Sequence, residues 1–317
     1  MKNAFKRPAI LLTLICLFAI NAFAWDDVGH KIAAYIGWQT MTPAARQRAF
    51  ELLTRAPEDS QLAAFYIKYG PRTDEVKQRE FFMLAATWPD MVRDDKFPVR
   101  SGKYHHPTWH YSDTYWRSTG TGIEILRPGE RDGFALEKIA EYIALEGSGA
   151  GDAEKALGVA WLEHLIGDIH QPLHTSARVT DLEPNGDHGA GLFSLTPKDA
   201  ASADKLDLHW FWDSVLVRTV PNTKMSDPCD ADYIENMARK FMKMYPYSKL
   251  KAGLHSDDTE VWRKEGFEIA TTRVFPATLK RNELPALKYR LMARDIAEKR
   301  LALAGYRMGE IFNRIFG

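Results

Sequence analysis

Runs of apolar positions spaced three and four apart dominate this chain, and they predict a protein built mainly of helices. The pattern predicts a first helix over 26–38. A second opens at Thr42-Pro43, a capping residue followed by proline at the first helical position, and runs through 53. Further helices are expected over 74–88, 133–145, 207–218, 230–245, 259–277 and 284–316. The stretch 152–170 stands apart. Ala156, Leu157, Val159, Ala160, Trp161, Leu162, Leu165 and Ile166 cover nearly every face, which marks a helix buried in a core. Yet it carries Glu163, His164 and Asp168, and buried charged groups must be paired or bound to metal. Gln171-Pro172 ends this helix. A loop rich in glycine follows, a short strand is expected from Leu192, and 221–232 reads as loop. Strand content is minimal. The expected fold is a single all-α domain.

The first 24 residues read differently. Lys2, Lys6 and Arg7 precede an apolar run from Ile10 to Ile20, and Ala22-Phe23-Ala24 is a small-x-small site of the kind signal peptidase cuts. A cleaved leader is expected over 1–24, leaving a domain over 25–317 that is exported, to a periplasm or to the medium. The whole chain has 42 basic and 42 acidic residues. Removing the three leader cations leaves 39 against 42, which excludes the strongly basic footprint of a duplex binder. A polyanionic substrate would need a local cation. Of two cysteines, Cys16 lies in the leader and Cys229 stands alone as an inert thiol, so no intrachain disulfide is expected. No integral membrane segment and no stable protein partner are expected.

Histidines and aspartates supply candidate chemistry. His164 and Asp168 lie at i and i+4 on one helix face, His174 follows just past the helix end, and His209 and Asp213 repeat the spacing on another helix. Imidazole and carboxylate without thiolate suit Zn²⁺ with an open position. The competing reading is a set of buried ion pairs and core histidines. Asp90 within Trp88-Pro89-Asp90, and His110 within an aromatic strip, are further candidates. At the expected new N-terminus stand Trp25 and His30. A free α-amine, with a pKa of about 7.7–8.0, deprotonates readily enough to serve as a nitrogen ligand. His170 is expected in the core or beside the site, His188 near it, and His105, His106 and His255 at the surface. Trp210 and Trp212 read as core residues.

Together, these pieces give the chain a resemblance to the S1/P1 nucleases, a zinc-dependent family related to zinc phospholipase C. The matching segments are Trp25 with Gly29-His30, Trp88-Pro89-Asp90 with Arg93, His110-Tyr111-Ser112-Asp113, the block from His164 to His174, and His209-Trp210-Phe211-Trp212-Asp213. The resemblance implies three zinc ions in one cleft. Asp90, His110, His164 and Asp168 would hold one. Trp25, through its α-amine and carbonyl, would hold a second with His30 and a bridging Asp168. His174, His209 and Asp213 would hold the third. Asp90 and Arg93 would be catalytic, Asp90 orienting the attacking water and Arg93 pairing with phosphate oxygens. Tyr111 and Asp113 occupy base-contact positions, with Gly189 and Gly191 in the adjoining loop. The implied substrates are single-stranded DNA and RNA, cut to 5′-phosphate products, and 3′-nucleotides.

One departure bears on specificity. Where the family carries Gly-Gly-Asn, this chain reads Gly189-Ala190-Gly191, without the amide that would read a base edge. Two other functions stay open at this point. One is a zinc phospholipase C, against which Asp213 counts because those enzymes carry glutamate there. The other is a non-catalytic zinc-binding exported protein.

Overall fold

The computed structural model describes residues 25–198, 205–223 and 231–317. The expected leader, Cys229 and the Asp230 start of one expected helix lie outside these residues. Helices dominate, in the order α1 (Asp27–Thr40), α2 (Pro43–Leu53), α3 (Asp74–Ala85), α4 (Trp88–Met91), α5 (Pro98–Tyr104), α6 (Ala135–Glu146), α7 (Asp152–Asp168), α8 (Leu208–Asp213), α9 (Val215–Thr219), α10 (Ala231–Met244), α11 (Tyr247–Leu250), α12 (Thr259–Ile269) and α13 (Leu287–Phe316). No described helix is long and apolar enough to cross a membrane.

Local chemistry sets the boundaries. The Asp26 carboxylate accepts from Gly29 N–H at 3.0 Å and starts α1, while Thr42 accepts from Ala45 N–H and starts α2. The helix expected over 74–88 is two helices, because the chain turns at Ala86-Thr87 before Pro89 opens α4. The helix expected over 207–218 likewise divides at Ser214, whose hydroxyl donates to the Trp210 carbonyl. The segment after α12 widens into a π-helical turn over Ala270–Val274.

The core sits between α1, α7 and α13. Gly305 and Gly309 let α13 approach α1 closely, since a Cβ at Gly305 would sit 2.5 Å from Ile36. From Val159 to Asp168 every residue of α7 is buried, as its all-round apolar pattern predicts.

A small sheet went unread in the sequence. It comprises β1 (Thr114–Ser118), β2 (Ile123–Ile125) and β3 (Ser176–Arg178) in the order β2-β1-β3, with β1 antiparallel to β2 and parallel to β3. The strand expected from Leu192 is not there. That segment is turn, and Ser194 makes only an isolated bridge to Asp207. The position of the sheet matters more than its size. The register Thr114↔Ser176 ties the segment after His110 to the segment after His174.

Candidate metal centre

Two residues at i and i+4 near the C-terminal end of α7 begin the site. His164 Nε2 lies 3.2 Å from Asp168 Oδ2, and both residues are fully buried. The β1–β3 pairing brings His110 onto this face, its Nδ1 2.9 Å from His164 Nε2 and 3.0 Å from Asp168 Oδ2. Asp90, on α4, approaches His164 Nε2 to 3.9 Å. The opposite oxygen of Asp168 faces α1, where His30 Nε2 stands 3.3 Å away and the His30 ring stacks on His164 at 4.0 Å. Gly167 makes that possible, because a Cβ there would meet His30 Nδ1 at 2.8 Å.

A third group forms across the cleft. His209 Nε2 lies 3.4 Å from Asp213 Oδ2 and 3.2 Å from His174 Nε2, and His174 Nε2 is 4.0 Å from Asp213 Oδ1. Three sets of side chains therefore have ligand atoms close enough to surround an ion: His30, His164 and Asp168; Asp90, His110 and His164; and His174, His209 and Asp213. Trp25 packs beside them. Its buried indole donates to Gly167 O at 3.0 Å, and Asp26 N–H donates to Asp213 O at 3.1 Å. The start of α1 is thereby held between the carbonyls of Gly167 and Asp213.

The comparisons with known proteins agree with this arrangement. A model of the S1/P1 Nuclease family matches residues 25–317. The chain belongs to the S1/P1 nuclease family. Nuclease S1 of Aspergillus oryzae is 22% identical over 250 residues, covering 78% of this chain and 69% of that protein. Endonuclease 5 of Arabidopsis thaliana is 26% identical over 174 residues, covering 49% of this chain and 50% of that protein, so the chain spans about half the length of the plant relative it matches. This S1/P1 family member is a hydrolase of the nuclease class, metal-dependent and acting on nucleic acid.

The donor set fits metal ions on its own terms. The Nδ1 atoms of His164, His174 and His209 donate to the carbonyls of Ala86, His110 and Gly189 at 2.7–2.8 Å. A carbonyl only accepts, so these bonds fix the tautomers and leave Nε2 as the lone-pair nitrogen in each neutral ring. Two such lone pairs, on His174 and His209, then face each other at 3.2 Å. An ion between them turns repulsion into coordination. The carboxylates tell the same story. Burial, with Asp207, Asp26 and Asp168 nearby, pushes the Asp213 carboxyl well above the usual range, against a hydrogen bond from Gln171. Burial also acts upward on Asp168, but His164 and the imidazoles of His110 and His30 hold it well below. His30 is driven down, first by burial and then by His164.

Asp90, His110, His174 and His209 line a cleft of about 560 Å³, with His30, His164, Asp168 and Asp213 buried behind them. Arg93 lines it, 3.5 Å from Asp90 Oδ1, as do Tyr111, Asp113, Gly189 and Gly191. Several cleft residues escaped the sequence reading. His105, expected at the surface, is half-buried and lines the cleft, and Trp210, expected in the core, does so too. His106 is half-buried and stacks on Trp109 at 3.7 Å, whereas His255 is exposed as expected. Asp132 and Tyr115 also line the cleft, and no spacing in the sequence linked them to it. Gln171 belongs to the recognised His164–His174 block, yet its contact emerges only in the fold: its amide donates to Asp213 Oδ1 at 2.7 Å.

Proposed function

We propose that residues 25–317 form one exported domain, released from a leader over 1–24, that holds three zinc ions and cuts single-stranded DNA and RNA to 5′-phosphate products. Dephosphorylation of 3′-nucleotides is a second activity of the same cleft. Asp90, His110, His164 and Asp168 hold one ion. His30, Asp168 and the α-amine and carbonyl of a processed Trp25 hold the second. His174, His209 and Asp213 hold the third.

The observation that carries this reading is the clustering of three His/Asp groups at and behind one cleft, with Asp168 presenting one oxygen to His30 and the other to His110 and His164. Bound zinc would supply Lewis-acid charge at phosphate and a water of lowered pKa. The chain's own residues do the rest. Asp90, at the cleft edge of its group, accepts a hydrogen bond from the attacking water and fixes its direction. Arg93, beside Asp90, presents a planar fork to phosphate oxygens. Tyr111 offers a ring on which a base stacks, worth about 1–3 kcal/mol, and stacking requires a base freed from its duplex.

Titrating zinc into metal-free protein and assaying denatured against duplex DNA tests the proposal. Activity on denatured DNA should rise with zinc and saturate near three equivalents, releasing 5′-mononucleotides. Saturation at one equivalent, or release of 3′-phosphates, would overturn it.

A further inference from the structure

If the cleft takes nucleic acid, as proposed above, one end of it must take a base, and the side chains there are unusual. Asp113 and Asp132 form an isolated antiparallel bridge, Asp113 N–H donating to Asp132 O at 2.7 Å and Asp132 N–H to Asp113 O at 3.1 Å. Residues paired in this way project to the same face. Both line the cleft, so two carboxyls stand side by side in it. Like charges placed directly opposite destabilise a pair. Asp113 is only 5% exposed, and its Oδ1 is buried with no hydrogen-bond partner among the described residues. None of the groups able to surround a metal ion includes either residue.

The surroundings are flat and aromatic. Tyr111 and Tyr115 line the same cleft. The Tyr115 hydroxyl donates to Asp132 Oδ2 at 3.1 Å and fixes that carboxylate at the wall. Gly133 lies flush on Tyr111: its φ of +87° suits glycine, and a Cβ there would stand 2.5 Å from the ring. The Asp132-Gly133 segment is therefore built against the ring proposed to stack a base.

We propose that Asp113 and Asp132 together select guanine, the base whose pairing edge carries two adjacent N–H donors. Guanine brings N1–H to one carboxylate and the N2 amino group to the other. Adenine and cytosine offer an amino group beside an acceptor nitrogen, and uracil a single N–H between two carbonyl oxygens. Each of these points a lone pair at a carboxylate, and a site built for a donor rejects a guest that lacks it. In the free chain burial, Asp132 and Asp187 push the Asp113 carboxyl well above the usual range. Donors from the base favour its ionised form. Asp132 thus does the work left undone by the amide missing at Gly191.

Calorimetric binding of the 5′-monophosphates of guanosine, adenosine, cytidine and uridine to the zinc-loaded protein tests this without turnover. The guanosine nucleotide should bind at least about tenfold more tightly than the others, the scale of one good paired contact. In Asp132→Asn that ratio should fall to within about threefold of unity, and Tyr115→Phe should give an intermediate ratio. Equal binding of all four, or an Asp132→Asn variant that keeps the full ratio, would overturn the assignment. The kcat/KM values for GpG, ApA, CpC and UpU separate the two readings. Selective binding with no cleavage of any dinucleotide sinks the nuclease reading alone, and equal binding with equal cleavage sinks base selection alone.

Discussion

Two clusters of buried charge lie on either side of the turn that ends α7, and they differ in how their polar atoms are met. On one side, Glu265 accepts from Arg300 at 2.5 Å and from both terminal nitrogens of Arg307 at 2.8 Å. Arg307 also meets His170 Nε2 at 2.7 Å, and His170 Nδ1 donates to Ile166 O. On the other side, imidazole nitrogens face one another, and among the described residues Asp168 Oδ1 and Asp213 Oδ2 are buried without a hydrogen-bond donor. Both clusters pay desolvation. The first satisfies itself and locks the strap between Asp168 and His174 onto α13. The second, in the proposed account, is completed by cations. Burial and charge alone therefore do not mark a functional site; the state of the partners does.

The largest effect expected is at Asp168, which in the proposed arrangement bridges two ions, one oxygen facing His30 and the other His110 and His164. Asp168→Asn should cut nuclease activity by on the order of ten-thousandfold, about 5.5 kcal/mol of barrier, and lower zinc content. A variant keeping a tenth of the activity would show that the carboxylate does not bridge. The self-satisfied cluster should behave oppositely. Arg307→Met takes the donor from His170 Nε2 and leaves Glu265 with Arg300 alone, and should cost about 3 kcal/mol in denaturant unfolding. Zinc per folded chain should stay unchanged. A fall in zinc in step with stability would join the two clusters into one support.

Smaller changes sharpen the contrast. Gln171→Leu removes the amide that orients Asp213. Zinc affinity of one site should weaken by about 10–100-fold, with Gln171→Asn restoring part of it. Uniform weakening of all three sites would point to general loosening instead.

Glu146 is a third kind of buried charge, with no hydrogen-bond partner among the described residues and no place in any of the three His/Asp groups. It is 6% exposed, both its oxygens lack hydrogen bonds, and burial raises its pKa from 4.5 to about 8. Because the folded value is the higher one, the unfolded chain loses this proton first as pH rises. Stability therefore falls between about pH 4.5 and 8 and is flat beyond. Glu146→Gln should remove that slope, adding on the order of 4–5 kcal/mol at pH 8 and nothing at pH 4. An equal gain at both values would mean that packing, not charge, is responsible.

Much of the helical frame was legible, because a segment like α7 states its burial in its composition. Its carboxylate and imidazole stood out against that apolar background. The i, i+4 pairs were legible for the same reason, since helical geometry alone places them together. What escaped depends on contacts between distant segments. The strands β1 and β3 are short and carry no alternation, so their pairing, which delivers His110 to His164, had no local signature. Asp132 is set opposite Asp113 only by an isolated bridge. His105 looked like a surface residue because nothing nearby in sequence announces that α5 ends at the cleft. The breaks at Ala86-Thr87 and Ser214 need no proline or glycine at the break itself, so 74–88 and 207–218 each read as one helix.

Anomalous scattering at the zinc edge, from crystals of the exported and processed protein, tests the central claim most directly. Three peaks are expected, one in each of the three His/Asp groups, with the second within coordinating distance of the Trp25 α-amine. A single peak, or three peaks with the Trp25 nitrogen out of reach of all of them, would contradict the account.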